Sequence, residues 1–453
     1  MSLALGPMGQ MPRISKYIIV TLGFALEDGS DIQSTLYRAA NEIVDSFPWL
    51  AGQVVVEKAA GDASVSSGTF KIIGYEPHNG KSKFVHVKDC KNLCPSYAKL
   101  VNSRAPASML DSSIICPEYG SASICREDAI KPVVILQANL IKGGLLLTVC
   151  THHCVMDANG NEQFILQFAS LCRGEKLSEE NIRLGNADQS TIVPPLKPGQ
   201  DLHPLEMYRC PSSLGTPHGV WTPPPPPVLW KTFRFTQSKI AELKHQASTL
   251  CSPDSDIKYV SSNDAVSTFI WTRIVTIRSR WLPEYSNTSL YRAVNGRQKL
   301  DPEVPAGYMG HFIFMLPTKL PVQTVVHDKL SSTTIKVRRS LMAVSDSHIR
   351  SFFNLLQNEK DKTTINYGAK VNGEADLLMS SYVAQKLYKT KFGDVLGEPD
   401  FIRRPKLPGG KNIYYMMPAT REGDIDLIAG LTKEEFDGLQ LDSEWNKYVE
   451  YIG

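Results

Sequence analysis

Two β-rich apolar runs, residues 133–141 and 145–151, are separated only by Lys142, Gly143 and Gly144, and the second leads straight into His152 and His153. Gly-Gly between two such runs is a hairpin signal. It places His153 just beyond the end of a strand, where the backbone holds a side chain more rigidly than a free loop would. Asp157 follows four residues later. An imidazole titrates near neutrality, so it can take a proton from an alcohol or amine and pass it on at ordinary pH. His153 is therefore the first candidate for a catalytic base.

Strand-like and helix-like patterns alternate along the rest of the chain, which makes the fold class mixed α and β. Residues 17–26 are apolar but far fewer than the ~20 a membrane helix needs, and they read as a buried strand. Residues 34–44 carry apolar positions at helical spacing and stop near Pro48. Residues 53–56 read as a strand, and 161–171 as a helix packed behind the histidines. At 453 residues the chain exceeds one ordinary core, so two domains are expected. Prolines crowd the stretch 194–230 and end in the run 223–227, which predicts a stiff, extended connector. A docking site for a proline-recognising module is the lesser reading, because the run is single and sits mid-chain. The expected division is 1–205, a linker at 206–230, and 231–453. In the second half, residues 262–271 follow capping residues into an apolar helix face. Residues 291–297 read as a strand ending on a charge, 377–382 as a short apolar run ending in hydroxyls, and 392–399 as a Gly-rich loop.

Composition excludes several functions. With 42% hydrophobic and 21% charged residues, wholesale disorder is not expected. The net charge of +3 is scattered, with no basic block interleaved with aromatics, so nucleic-acid binding has no support. Nine cysteines without a CxxC pair read as free thiols in a reducing compartment. Without a small-residue cleavage site near the first apolar stretch no signal peptide is expected, and the location expected is cytoplasmic, without membrane insertion.

Three readings share the histidine region. His153 can be a general base with Asp157 fixing the local geometry; His152, His153 and Asp157 can ligate a metal; or the rings can pack at a domain seam. Against a metal, adjacent residues of an extended segment point to opposite faces, and no second cluster at ligand spacing completes a site. Cys154 invites an acyl-enzyme reading, but sequence neighbours seldom face each other there, and a buried free cysteine is usually inert. Residues 392–399 lack the Lys-Ser/Thr of a Walker loop and read as a structural turn.

Several separated motifs coincide with one family. His152-His153-Cys154-Val155-Met156-Asp157 resembles the HHxxxD motif of the BAHD acyltransferases, which use coenzyme A thioesters. Residues 392–399 resemble their DFGWG-type loop. Stretches 48–54, 141–145, 260–265, 402–405 and 444–453 resemble the fungal branch that contains the trichothecene 3-O-acetyltransferases, so the likeness spans nearly the whole chain with its motifs in order. The resemblance implies two chloramphenicol-acetyltransferase-like domains, with mixed sheets flanked by helices and an active-site tunnel at their interface. It implies O-acylation of a small secondary metabolite such as a terpenoid or alkaloid. Acetyl-CoA or another short acyl-CoA would be the co-substrate, with no permanently bound cofactor and a monomeric enzyme. His153 would deprotonate the acceptor, which attacks the thioester directly. Asp157 would pair with Arg297 to hold the turn. Ser380, Ser381 and Tyr382 would be the oxyanion candidates, with Tyr382 where Trp is usual. Lys258, Ser261, Asn263 and Arg403, with Arg404 nearby, would approach the CoA phosphates.

Two positions depart from the family pattern. Lys391 stands where an aspartate opens the DFGWG-type motif, which bears on local packing and not on the base. Ala158 replaces the glycine usual after the motif aspartate, which bears on the following turn. The alternatives are a non-acylating binding or pericyclase-like protein on the same fold, and a free-standing condensation-type N-acyltransferase. Acceptor identity rests on loops, of which residues 307–311 are expected to line the pocket.

Overall fold

The computed structural model describes residues 2–27, 29–57, 69–74, 84–117, 130–188, 192–193, 196, 203, 205–210, 227–252, 256–407 and 409–453. The predicted hairpin is formed by antiparallel strands Val134–Ile141 and Gly144–His152, with Ile141 opposite Gly144. Gly143 turns the corner at φ +73°, a left-handed conformation that favours glycine. The Gly144–His152 strand is central in a five-stranded sheet ordered Phe401–Arg403, Tyr17–Ala25, Gly144–His152, Val134–Ile141, Val85–Asp89. Its side chains alternate between two cores. Leu145, Leu147 and Val149 join the large one, while Leu146 and Cys150 join a smaller one with Tyr97 and Phe401. A strand covered on both faces needs this near-continuous apolarity. The helix Ile32–Ser46, longer than the predicted 34–44, buries Ile32, Leu36, Ala39, Ala40 and Ile43 on the large core. A third sheet, of Ser2–Ala4, Thr69–Gly74 and Gly52–Glu57, closes over the same end of the chain.

The second half builds a seven-stranded sheet ordered Ile313–Pro321, Asn287–Asn295, Leu377–Ser381, Ile413–Met416, Ile425–Leu431, Leu229–Phe235, Glu450–Tyr451. Leu377–Ser381 runs parallel to both neighbours. The predicted helix near 262 is Ser262–Arg278, closed at its start by a reciprocal capping box between Ser261 and Asp264. Three expectations need adjusting. Residues 211–226 of the expected linker lie outside the described residues, and its last two residues already belong to the strand Leu229–Phe235. The strand expected at 291–297 is Asn287–Asn295, so Arg297 opens the 3₁₀ turn that follows. Finally, Phe401–Arg403 leaves the second half and pairs antiparallel with Tyr17–Ala25, because its Phe401 ring fills the smaller core beside Tyr97.

Candidate active site

The site grows from the end of the buried strand. His152 and His153 donate their backbone N–H groups to Val133 O (2.8 Å) and Lys16 O (2.7 Å). The chain then turns sharply, Val155 and Met156 both donating to His152 O (2.9 and 3.1 Å). Asp157 caps the helix Ala158–Cys172 by accepting from Gly160 N (2.8 Å). Ala158 is the first residue of that helix, where a Cβ is harmless, so the departure there leaves the turn intact.

The two histidines diverge. His152 is fully buried, packs edge-on to Tyr17 at 5.3 Å, and has no hydrogen-bond partner for either ring nitrogen among the described residues. Burial, and then the charge of Lys131, push its pKa down to about 3. His153 is half-buried. Burial, then neighbouring His311 and Lys16, hold its pKa well below the usual histidine value, so its imidazole is neutral and able to accept a proton at pH 7.

Asp157 is fully buried. Arg297 Nη1 and Nη2 donate to its two oxygens (2.7 and 3.1 Å), and Phe312 N donates to Oδ2 (2.6 Å). Arg297 also donates through Nη2 to Gly310 O (2.6 Å) and through its backbone N–H to Asn295 Oδ1 (3.1 Å). One carboxylate and one guanidinium thus join the motif turn to two loops of the second half.

Partners of this link line two cavities, Gly310 one and Asn295 the other. Tyr308, Gly310, His311, Cys154, Val155 and Trp49 help line an apolar one of about 100 Å³, so the 307–311 loop does take part in a pocket. Asn295, Ser261, Asn263, Arg292, Lys299 and Ser381 help line a more polar one of about 240 Å³. Ser381 is oriented there by a relay. Ser267 Oγ donates to Asn263 Oδ1 (3.0 Å), and Asn263 Nδ2 donates to Ser381 Oγ (3.1 Å), which leaves the Ser381 hydroxyl proton available. Met379 and Ser381 face the cavity, so Ser380 between them points to the other side of the strand. Tyr382 is buried; its hydroxyl accepts from Arg404 Nη1 (3.2 Å), and Arg404 stacks over Tyr415 at 4.2 Å.

The cofactor candidates separate. Ser261 and Asn263 line the polar cavity, whereas Lys258 is exposed outside its lining. Arg403 is not in that lining either: it is buried, ion-paired with Asp426 at 2.7 Å, and donates to Ala105 O and Arg104 O (3.0 and 2.9 Å). Sequence reasoning passed over Arg292 and Lys299, which line the polar cavity, and Tyr367, which bonds His311; no motif marks them. In the DFGWG-like loop, Lys391 pairs with Asp394 across an exposed turn (2.7 Å) and its carbonyl accepts from Arg173. Phe392 is buried against Phe24, so the loop braces the back of the motif helix. Among the described residues no three or more His, Cys, Asp or Glu side chains gather as metal ligands, and no helix is long and apolar enough to cross a membrane.

A profile of the Transferase family matches residues 120–445, and one of the trichothecene 3-O-acetyltransferase-like N-terminal domain matches 16–172. The chain is 33% identical over 454 residues to O-acyltransferase pigD of Monascus ruber, covering 98% of each. It is 31% identical over 462 residues to trichothecene 3-O-acetyltransferase TRI101 of Fusarium sporotrichioides, covering 98% of this chain and 95% of that one. The structure of F. sporotrichioides TRI101 complexed with coenzyme A and T-2 aligns at a TM-score of 0.89 and 29% identity over 100% of both chains.

Proposed function

The chain belongs to the Transferase family of acyl-CoA-dependent BAHD acyltransferases, in its fungal trichothecene 3-O-acetyltransferase-like branch, and from that premise we propose that His153 is the base of its O-acylation reaction. The observation that carries the reading is a neutral His153 imidazole on a turn whose next two residues line the apolar cavity and whose Asp157–Arg297 link bonds Asn295 of the polar one. The acceptor hydroxyl lies on the apolar side, as suits a terpenoid, an alkaloid or another largely apolar secondary metabolite. The acetyl thioester lies on the polar side, where Ser261, Asn263, Arg292 and Lys299 suit the CoA arm and its phosphates.

The acceptor oxygen bonds to the thioester carbon while its proton passes to His153 Nε2. The Ser381 hydroxyl donates to the oxyanion that forms. The intermediate then collapses, the C–S bond breaks, and the CoA thiolate takes the proton back from the imidazolium. Cys154 has no part in this: burial raises its pKa far above neutrality, and it remains a thiol. Two domains, 1–205 and 231–453, joined by 206–230 and interlocked by the strand Phe401–Arg403, would enclose the tunnel. A cytoplasmic monomer accords with eight free cysteines among the described residues.

The test is thiol release from acetyl-CoA with a panel of terpenoid, alkaloid and aromatic alcohols. Wild type is expected to release thiol with at least one acceptor, and His153→Ala to fall by 10²–10⁴-fold, the usual weight of general base catalysis. Thiol release that survives His153→Ala unchanged would rule His153 out as the base.

A further inference from the structure

We infer that His311, braced by Tyr367, is a positioning residue that sets the aim of His153. The inference rests on the reading of His153 as the base. The two Nδ1 atoms lie 3.3 Å apart, their rings 5.0 Å centre to centre, and His311 Nδ1 is 2.8 Å from the backbone oxygen of His153. A carbonyl oxygen only accepts, so that 2.8 Å contact requires a proton on His311 Nδ1. His311 Nε2 lies 2.9 Å from the Tyr367 hydroxyl and 3.3 Å from Ile313 O. Tyr367 is parallel to His311 at 6.0 Å between rings and also meets Ile313 O. His311 and Tyr367 are almost wholly buried.

The consequence falls on His153. His311 bonds the backbone oxygen of the residue whose ring it also meets, so one side chain holds both the turn and the imidazole that the turn carries. The Tyr367 hydroxyl holds the far side of the His311 ring in turn. Burial keeps His311 neutral despite the nearby Asp157 carboxylate, so no second positive charge opposes the imidazolium formed during the reaction. The charged and titratable groups around the pair are Lys16, Asp157, Arg297 and Tyr367.

The experiment compares His311→Leu with His311→Asn, whose amide N–H can replace Nδ1–H as donor. His311→Leu is expected to lose kcat by about 10²-fold, the scale of a base misplaced by about 1 Å, with KM for acetyl-CoA within twofold. His311→Asn is expected to restore kcat to within about tenfold of wild type. In ¹⁵N-histidine-labelled protein, His311→Leu should shift the His153 ring signals, and His311→Asn should leave them near their wild-type positions. Equal losses in the two variants, or unchanged kcat in His311→Leu, would overturn the inference. Should the leucine variant not fold, Tyr367→Phe decides: a several-fold lower kcat with shifted His153 ring signals supports it, and no change in either overturns it. His153→Ala run in parallel separates the claims. Activity surviving that substitution removes the base reading itself, whereas an inactive His153→Ala beside an unimpaired His311→Leu removes this inference alone.

Discussion

Four hydrogen bonds converge on the Asp157 carboxylate, from Gly160 N, Phe312 N and both terminal nitrogens of Arg297, and none of them comes from a reacting group. Burial pushes this carboxyl's pKa up, but Arg297 and the backbone donors overcome that and hold it below the ordinary aspartate value. A folded-state pKa below the unfolded one contributes stability that is complete above about pH 4 and is lost as pH falls through the folded value. Asp157→Ala leaves Arg297 charged and buried, which costs about 3–5 kcal/mol. It should lower the urea midpoint and abolish thiol release together, while His153→Ala should unfold near the wild-type midpoint. Matching midpoints for the two variants would refute the structural role of Asp157. The proposed base and the carboxylate beside it were both legible in the motif, because a strand end followed by a capped helix is a local pattern. The hydrogen bond from His311 is not local: 158 positions separate the partners, and only the folded loop brings them together.

The motif helix Ala158–Cys172 meets the 308–312 loop at Gly160, where a Cβ would stand 1.9 Å from Met309 O. Backbone cannot yield as a flexible side chain would. Gly160→Ala must therefore push the helix start away from the loop that carries Phe312 and His311, at a cost of about 1–3 kcal/mol. The expected result is a lower melting temperature and a kcat reduced more than KM is raised, read by calorimetry and thiol release. Wild-type values for both would mean that the helix and loop are not in contact. At this scale much of the fold was legible. The hairpin, the helix near 34–44 and the helix opened by Ser261 all announced themselves through apolar spacing and turn or capping chemistry. Phe401–Arg403 did not, since three residues carry no periodicity and their place depends on a sheet edge formed some 380 positions earlier. Arg297 was drawn into the preceding strand because the apolar alternation says nothing of where the pairing with Ile313 stops.

Across the whole molecule the proposed site lies where residues of the two halves meet, and it is held there by ties that cross between them. Asp157 with Arg297 is one; the strand Phe401–Arg403 laid beside Tyr17–Ala25 is another, and Arg403 anchors it to Asp426 of the seven-stranded sheet. Arg234 also pairs with Asp426, at 2.7 Å, so the carboxylate keeps one partner if Arg403 is lost. The backbone oxygens of Ala105 and Arg104 would each lose the donor Arg403 gives them. Breaking a buried ion pair costs 3–5 kcal/mol when the survivor has no other partner, and Arg234 brings the expected cost of Arg403→Met to about 3 kcal/mol. Because Arg403 is spent on this tie, the KM for acetyl-CoA should stay within twofold of wild type while the urea midpoint falls. The opposite pattern, an unchanged midpoint with a KM raised tenfold or more, would return Arg403 to the cofactor site and leave the strand to be held by backbone pairing alone.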